Sequence, residues 1–466
     1  MAVVWKGAGR PVRGRTHEPP GPAGLPLLGN LLDLRRDPLA FFTACADRYG
    51  DVVSLHFGPK PALLLNDPAE IEPVLVGRHR AYPKPDFFWR QVTAVFGNGL
   101  LISQGSFWQR QRRLAAPAFA GPKLASYADT MVRLTEQMLD GWRTGEERDL
   151  HTDMMALTLK IAAETLFGAA SAEDMTCMDA ALADLRGEIA SRFVRPFLIP
   201  DAVPLPGHLR YKRALRCVEG VVERIIREKR FFQDGDDLLT ALMNARDETG
   251  EPMSDRQLRD EVVTFLLAGH ETTALALTWT MYLLGRHPEA DAAVAAEASA
   301  VLGDSTATDD DVARLRLAER TVMEGMRLYP PAWVIGREAG ADCEIKGYRV
   351  RAGTPLYVSP WVLHRDPRFY DEPEAFRPAR WKDDPVRRLP RFAYLPFGGG
   401  PRICIAHRFA MMEAVLILAS IVRRFRLEPC SKQPIAPLAS ITLSPLGSVR
   451  NRVEARHNPL IRGGSL

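Results

Sequence analysis

Within Phe397-Gly398-Gly399-Gly400-Pro401-Arg402-Ile403-Cys404-Ile405-Ala406, three successive glycines precede a cysteine, and a run of helix-forming residues over 406–422 follows it. The glycines leave backbone amides open to approach the sulfur. Cys404 is thereby predicted at a helix N-terminus beside Arg402, and both features favour a thiolate. A phosphate-binding loop calls for Lys-Ser or Lys-Thr after its glycines, and none follows here. A c-type haem attachment needs a second cysteine upstream and a histidine directly after, whereas His407 stands three residues on. A plain turn is the other reading of these residues taken alone.

The other cysteines, Cys45, Cys177, Cys217, Cys343 and Cys430, form no C-x-x-C pair with one another or with Cys404. That argues against a structural zinc site and against a secreted disulfide framework. A reducing, cytoplasmic setting is expected, with most thiols acting as small buried apolar groups. Of 466 residues, 61 are basic and 57 acidic, a formal charge of +4 that gives no case for nucleic-acid binding. With 25% of residues charged and 46% hydrophobic, the chain is of ordinary globular composition. No apolar run approaches the roughly 20 residues of a membrane span. The longest, 414–422, ends at Arg423-Arg424. Residues 1–18 carry Lys6, Arg10, Arg13 and Arg15 and are read as a basic, disordered arm, neither anchor nor signal peptide. The protein is expected to be soluble.

Pro19-Pro20-Gly21-Pro22 and Gly24-Leu25-Pro26 make a stiff, non-helical lead-in. A helix is predicted from Pro38 towards Tyr49, then a hairpin of strands at 52–57 and 62–65 around Gly58-Pro59. From about 114 to 301 the pattern is largely helical, interrupted near 196–206 and at Gly235. Short strands return at 333–335, 348–350 and 356–359, and a final pair at 440–443 and 448–453 is expected to flank Pro445-Leu446-Gly447. One large domain, mainly α with minor β, fits this order. Ser254-Asp255 and His287-Pro288 bracket a helix of about 48 Å at roughly 1.5 Å per residue. It is apolar on most sides, hence buried. Inside it lies Ala268-Gly269-His270-Glu271-Thr272-Thr273. Gly269 costs about 1 kcal/mol against alanine. A bend with hydroxyls bonded to carbonyls four residues back is one account of the threonines.

Phe397-x-x-Gly400-x-Arg402-x-Cys404-x-Ala406 resembles the haem-binding signature of the cytochrome P450 family, the haem-thiolate monooxygenases. Glu324-Gly325-Met326-Arg327 resembles that family's E-x-x-R, and Pro378-Ala379-Arg380-Trp381 its P-E-R-F segment. Ala268 to Thr273 resembles the oxygen-activating helix motif, and Trp108-x-x-x-Arg112 the haem-propionate helix. All five occur in the family's order, and the resemblance covers about 19–453. Ala406 replaces a customary glycine and Ala379 a customary glutamate.

The resemblance implies a cytochrome P450 fold over 19–466, a single haem domain, and haem b (iron protoporphyrin IX) as cofactor. Thiolate ligation favours O–O cleavage, so Cys404 is expected as the metal ligand, with Phe397 covering the proximal side. Trp108, Arg112, Arg337 and Arg402 are expected at the propionates. Glu324 and Arg327, three apart and on one helix face, are expected to form a buried structural cluster with Arg380. Glu271 and Thr272 form an acid–alcohol pair able to supply protons to dioxygen, Thr272 as relay and Glu271 as source. Thr273 is assigned to packing. Phe87, Phe88, Leu100, Leu101, Ala268, Trp333, Val334 and Leu446 are expected at the substrate pocket.

The implied reaction inserts one atom of dioxygen into a C–H or C=C bond of an apolar substrate: fatty acid, terpenoid or polyketide-like. The motifs resemble branches that include fatty-acid hydroxylases, which tilts the expectation that way. The chain ends soon after the last strand pair, so electrons are expected from a separate ferredoxin or flavodoxin with its reductase. Arg110, Arg113, His407 and Arg408 form a basic rim suited to such a donor. A monomer is expected. The alternatives are a thiolate-haem peroxygenase or isomerase, and a non-catalytic haem-binding protein.

Overall fold

A computed structural model describes residues 18–456, apart from 86–88, 90–91, 169–171, 195–202, 204, 233–234, 236 and 384–386. The 1–18 arm lies outside these residues except for its last member. The longer helices are α1 (Pro38–Tyr49), α2 (Gly105–Ala115), α3 (Gly121–Asp140), α4 (Leu150–Phe167), α5 (Ala172–Val194), α6 (Pro206–Phe232), α7 (Asp255–Arg286), α8 (Pro288–Leu302), α9 (Arg316–Leu328) and α10 (His407–Arg424). The strands are β1 (Val52–Phe57), β2 (Lys60–Leu65), β3 (Glu147–Asp149), β4 (Ile335–Glu338), β5 (Cys343–Ile345), β6 (Tyr348–Val350), β7 (Pro355–Val358), β8 (Phe425–Pro429), β9 (Pro437–Ala439), β10 (Leu443–Pro445) and β11 (Arg450–Ala455). Helices dominate and the sheets are small.

The long helix starts where its sequence dictates. Ser254 Oγ accepts from Gln257 N at 3.3 Å and the Gln257 side chain accepts from Ser254 N at 2.8 Å, a reciprocal cap. It ends before His287-Pro288. Its two halves enter different cores. Val262, Val263 and Leu266 pack with α2, α4, α5 and α6. Ala274 to Leu284 pack with α3, α4, α9 and α10. The segment 267–272 therefore sits at the seam between them.

Among the described residues the strands form four sheets, one of them ordered β1-β2-β7-β4 and another β3-β11-β8. The first hairpin forms as expected, with β2 extended back to Lys60. The final pair does not. Strand β10 pairs with β9, while β11 pairs with β8 and β3. Period-two alternation marks a strand but not its partner, and β3, only three residues long inside a helical stretch, gave no signal. Trp333 and Val334 precede β4 instead of opening it.

The cysteines also depart from expectation. Cys177 of α5 and Cys217 of α6 are disulfide-bonded across 40 residues, joining two helices that pack side by side. Among the described residues no helix is long and apolar enough to cross a membrane.

Candidate active site

The cysteine loop closes on itself. Cys404 N donates to Phe397 O at 3.0 Å, Ile403 N to Gly400 O at 3.0 Å, and His407 Nδ1 lies 3.0 Å from Cys404 O. Gly400 has a φ of +67°, and a Cβ there would fall 2.0 Å from Leu75 O, so only glycine lets the loop seat on the 73–77 turn. The Cys404 thiol is exposed and unpaired. Next to it, Ile405 packs on the cluster holding Val262 and Leu266 of α7. The sulfur is reachable but recessed, and burial pushes its pKa up, against the pull of Ala406 N–H and Arg112.

Four cations gather nearby. Arg402 stands 4.2 Å from the Trp108 ring centroid and both of its Nη atoms donate to Ser103 O at 3.1 Å. Arg112, one turn along α2, is 6.0 Å from the same ring. Arg337 is only 7% exposed, and its recorded partner is the Gly336 carbonyl at 2.8 Å. Lys84 Nζ donates to Leu101 O and lies 4.4 Å from the Trp89 ring centroid. Among the described residues, none of these four has a carboxylate partner. Burial pushes Arg337 and Arg402 down to about 10, and Arg402 is further lowered by Arg337 and Arg112. Burial likewise holds Lys84 well below its ordinary value, with Arg402 and Arg337 adding to it.

On α7, one strip breaks the burial of the helix. Ala268 is exposed and Thr272, one turn on, is half-buried, while Ala274 to Leu284 are buried. A Cβ on Gly269 would meet nothing within 4 Å. Thr272 Oγ1 donates to Ala268 O at 2.7 Å and Thr273 Oγ1 to Gly269 O at 3.1 Å, the back-bonding that mid-helix threonines adopt. Glu271 does not meet Thr272. Its carboxylate accepts from Thr442 Oγ1 at 2.6 Å. His270 faces away, with Nδ1 3.0 Å from Leu266 O, and burial pushes it down to about 4.

A family model described as cytochrome P450 matches residues 19–449. The chain is 38% identical over 431 residues to "Cyclooctatin synthase" of Streptomyces melanosporofaciens, covering 91% of this chain and 93% of that protein. The chain belongs to the cytochrome P450 family. A second protein of that organism, "Cyclooctat-9-en-7-ol 5-monooxygenase", is 37% identical over 88% of this chain and 89% of its own. The crystal structure of the cytochrome P450DA heme domain superposes with a TM-score of 0.87 at 29% identity, covering 95% of this chain and 99% of that one. This P450 is therefore an oxidoreductase, a monooxygenase that uses haem iron, dioxygen, an organic substrate and electrons from a redox partner. Its residues fit the cofactor. An exposed thiol, and one buried and three half-buried cations lacking any acid among the described residues, match a metalloporphyrin bearing two carboxylates.

The remaining expected residues divide. Glu324 and Arg327 are both fully buried, with Arg327 Nε and Nη2 each 2.9 Å from the carboxylate. Arg380 Nε joins at 3.0 Å. Leu100 and Trp333 are packed in core clusters, Trp333 with its indole N–H on Ser440 O at 2.7 Å. Leu101 and Val334 are half-buried, and Leu446 is 61% exposed on a loop. Phe397 is half-buried, its ring 6.1 Å from that of His407. Phe87 and Phe88 lie outside the described residues. The basic rim is partly neutralised: Arg110 pairs with Asp247 at 2.6 Å and Arg113 with Glu248, so neither is the free cation expected.

Three residues escaped the sequence reading. Lys84 gave no signal between two prolines, and Thr442 meets Glu271 across 171 positions. Glu413 did offer one, as a lone acid in the apolar run 409–422. It is buried, shares a side-chain hydrogen bond with Thr273, and burial pushes it up to about 8.

Proposed function

We propose that residues 19–466 form one haem domain, that Cys404 ligates the iron of haem b, and that Trp108, Arg112, Arg337 and Arg402, joined by Lys84, hold the propionates. The observation that carries this reading is the exposed Cys404 thiol beside cations, Arg337 buried and Arg112, Arg402 and Lys84 half-buried, that have no carboxylate partner among the described residues. Thiolate-ligated haem supplies dioxygen activation, with one oxygen atom entering the substrate and the other leaving as water. The protein supplies placement and protons. Phe397 shields the sulfur side from water. Ala268 and Gly269, small and unobstructed on α7, leave room for dioxygen and substrate. Thr272 relays protons through its hydroxyl, and Glu271 replenishes them from the half-buried side of the helix. Glu324, Arg327 and Arg380 fix the core on which the loop rests.

The proposed substrate is an apolar terpenoid alkene or alcohol. The relative named for cyclooctat-9-en-7-ol acts on an unsaturated alcohol by its name, which favours this class over the fatty acid suggested by the helix motif. The redox partner is proposed to be a ferredoxin or flavodoxin with its reductase, and the working state a cytoplasmic monomer.

Reduced protein exposed to carbon monoxide is expected to absorb at the red-shifted position of sulfur-ligated haem, and Cys404→His to move it to the nitrogen-ligated position. A wild-type spectrum of nitrogen ligation would overturn the assignment. Donor-driven product formation that falls sharply in Thr272→Ala is expected. Peroxide-only turnover indifferent to that substitution would favour the peroxygenase alternative.

A further inference from the structure

The turn between β9 and β10 is held unusually firmly. Trp333 Nε1 donates to Ser440 O at 2.7 Å, and Trp279 Nε1 donates to Leu443 O at 2.8 Å. Leu443 N donates to Pro331 O at 3.0 Å, and Ser440 N to Thr442 O at 3.0 Å within the turn. Trp279 is itself fully buried and stacked on Tyr329 with centroids 4.0 Å apart. Two indoles with little freedom to move thus fix the carbonyls on either side of Thr442. Its hydroxyl is aimed at α7, where it donates to Glu271 Oε1 at 2.6 Å.

That bond has a cost for the acid–alcohol pair. Adjacent residues on a helix point about 100° apart, so Glu271 reaches Thr272 only by turning its flexible side chain back along the helix. Here it is turned to the hairpin instead. Thr272 meanwhile spends its proton on Ala268 O. We propose that Thr442 is a positioning residue that parks Glu271 on the β9–β10 turn, keeping proton supply off Thr272 until the carboxylate is released. The proposal rests on the reading of Glu271 and Thr272 as the proton route. Its consequence is restraint: a protein with the parking bond intact consumes donor electrons slowly when no substrate is present.

The test compares the haem-loaded wild type with Thr442→Val, which keeps shape and loses the hydroxyl, and Thr442→Ser, which restores it. Crystal structures are expected to show the Glu271 carboxylate on the turn in the wild type and Thr442→Ser, and off it in Thr442→Val. Substrate-free oxidation of reduced nicotinamide through the donor proteins, its electrons passing to dioxygen to give peroxide or water, is expected to rise several-fold in Thr442→Val. It should return to the wild-type rate in Thr442→Ser, with substrate KM little changed, and fall to or below that rate in the double variant Thr442→Val/Glu271→Gln, which lacks the acid. Glu271 remaining on the turn in Thr442→Val, or an unchanged substrate-free rate, would overturn the proposal. A rise that persists in the double variant would also do so, because the effect would then not pass through the acid. If Glu271→Gln and Thr272→Ala alone leave coupled turnover unaltered, the proton route itself fails.

Discussion

At Glu324 five donors meet one carboxylate. Arg327 contributes two, and Arg377 N, Arg380 Nε and Trp381 Nε1 add one each, at 2.9, 3.0 and 2.8 Å. Such a site stands or falls as a set. Removing one member strands a buried charge at a cost of about 3–5 kcal/mol. Arg327→Ala is therefore expected to lower the free energy of unfolding, measured by urea titration, by that amount, with Lys382→Ala, an exposed residue just after Trp381, as a near-neutral control. The i,i+3 spacing made the pair legible in sequence, but Trp381 was hidden, since its indole reaches the carboxylate across 57 residues. Gly269 makes a second test at this scale. Alanine there clears every neighbour and gains about 1 kcal/mol of helix propensity. Gly269→Ala should melt no lower than the wild type yet give a weaker optical response to substrate, because its methyl enters the open space proposed to take dioxygen and substrate.

Two acids on or against α7 tie stability to pH at the scale of elements. Glu261 accepts from Leu100 N at 2.9 Å, linking the helix to the 98–102 loop, and burial pushes it up to about 8. Glu413 of α10 is pushed to about 8 in the same way. Each holds its proton in the folded chain and loses it in the unfolded one above the ordinary carboxyl range. Stability from this source is complete below about pH 4.5 and is lost as pH rises through about 8, on the order of a few kcal/mol. The thermal midpoint should therefore fall between about pH 4.5 and 8 and level off above that, and the double variant Glu261→Gln/Glu413→Gln should flatten that slope. Helix limits were legible because caps and prolines are local. The pairing of β10 and β11 was not, because strand partners are chosen by what packs across the sheet.

At the scale of the whole molecule, the donor-docking face follows from which cations remain free. Arg113 is paired with Glu248 and Arg110 with Asp247, whereas Arg408, at the start of α10 beside the cysteine loop, has no ion pair among the described residues. Arg408→Glu is expected to slow reduction of the haem by a ferredoxin at low ionic strength, with the difference fading as salt is raised. Arg113→Glu should slow it much less. Equal effects from the two would place the docking face elsewhere.

Sequence alone determined the helical class, the long helix with its caps, the cysteine loop and the family. Each of these is written in neighbouring residues or in short motifs whose chemistry is local. Tertiary structure decided the rest: which cations are left without acids among the described residues, and that Glu271 turns to Thr442 and away from Thr272. Those outcomes depend on desolvation and on contacts between segments more than a hundred residues apart, and neither quantity exists until the chain has folded.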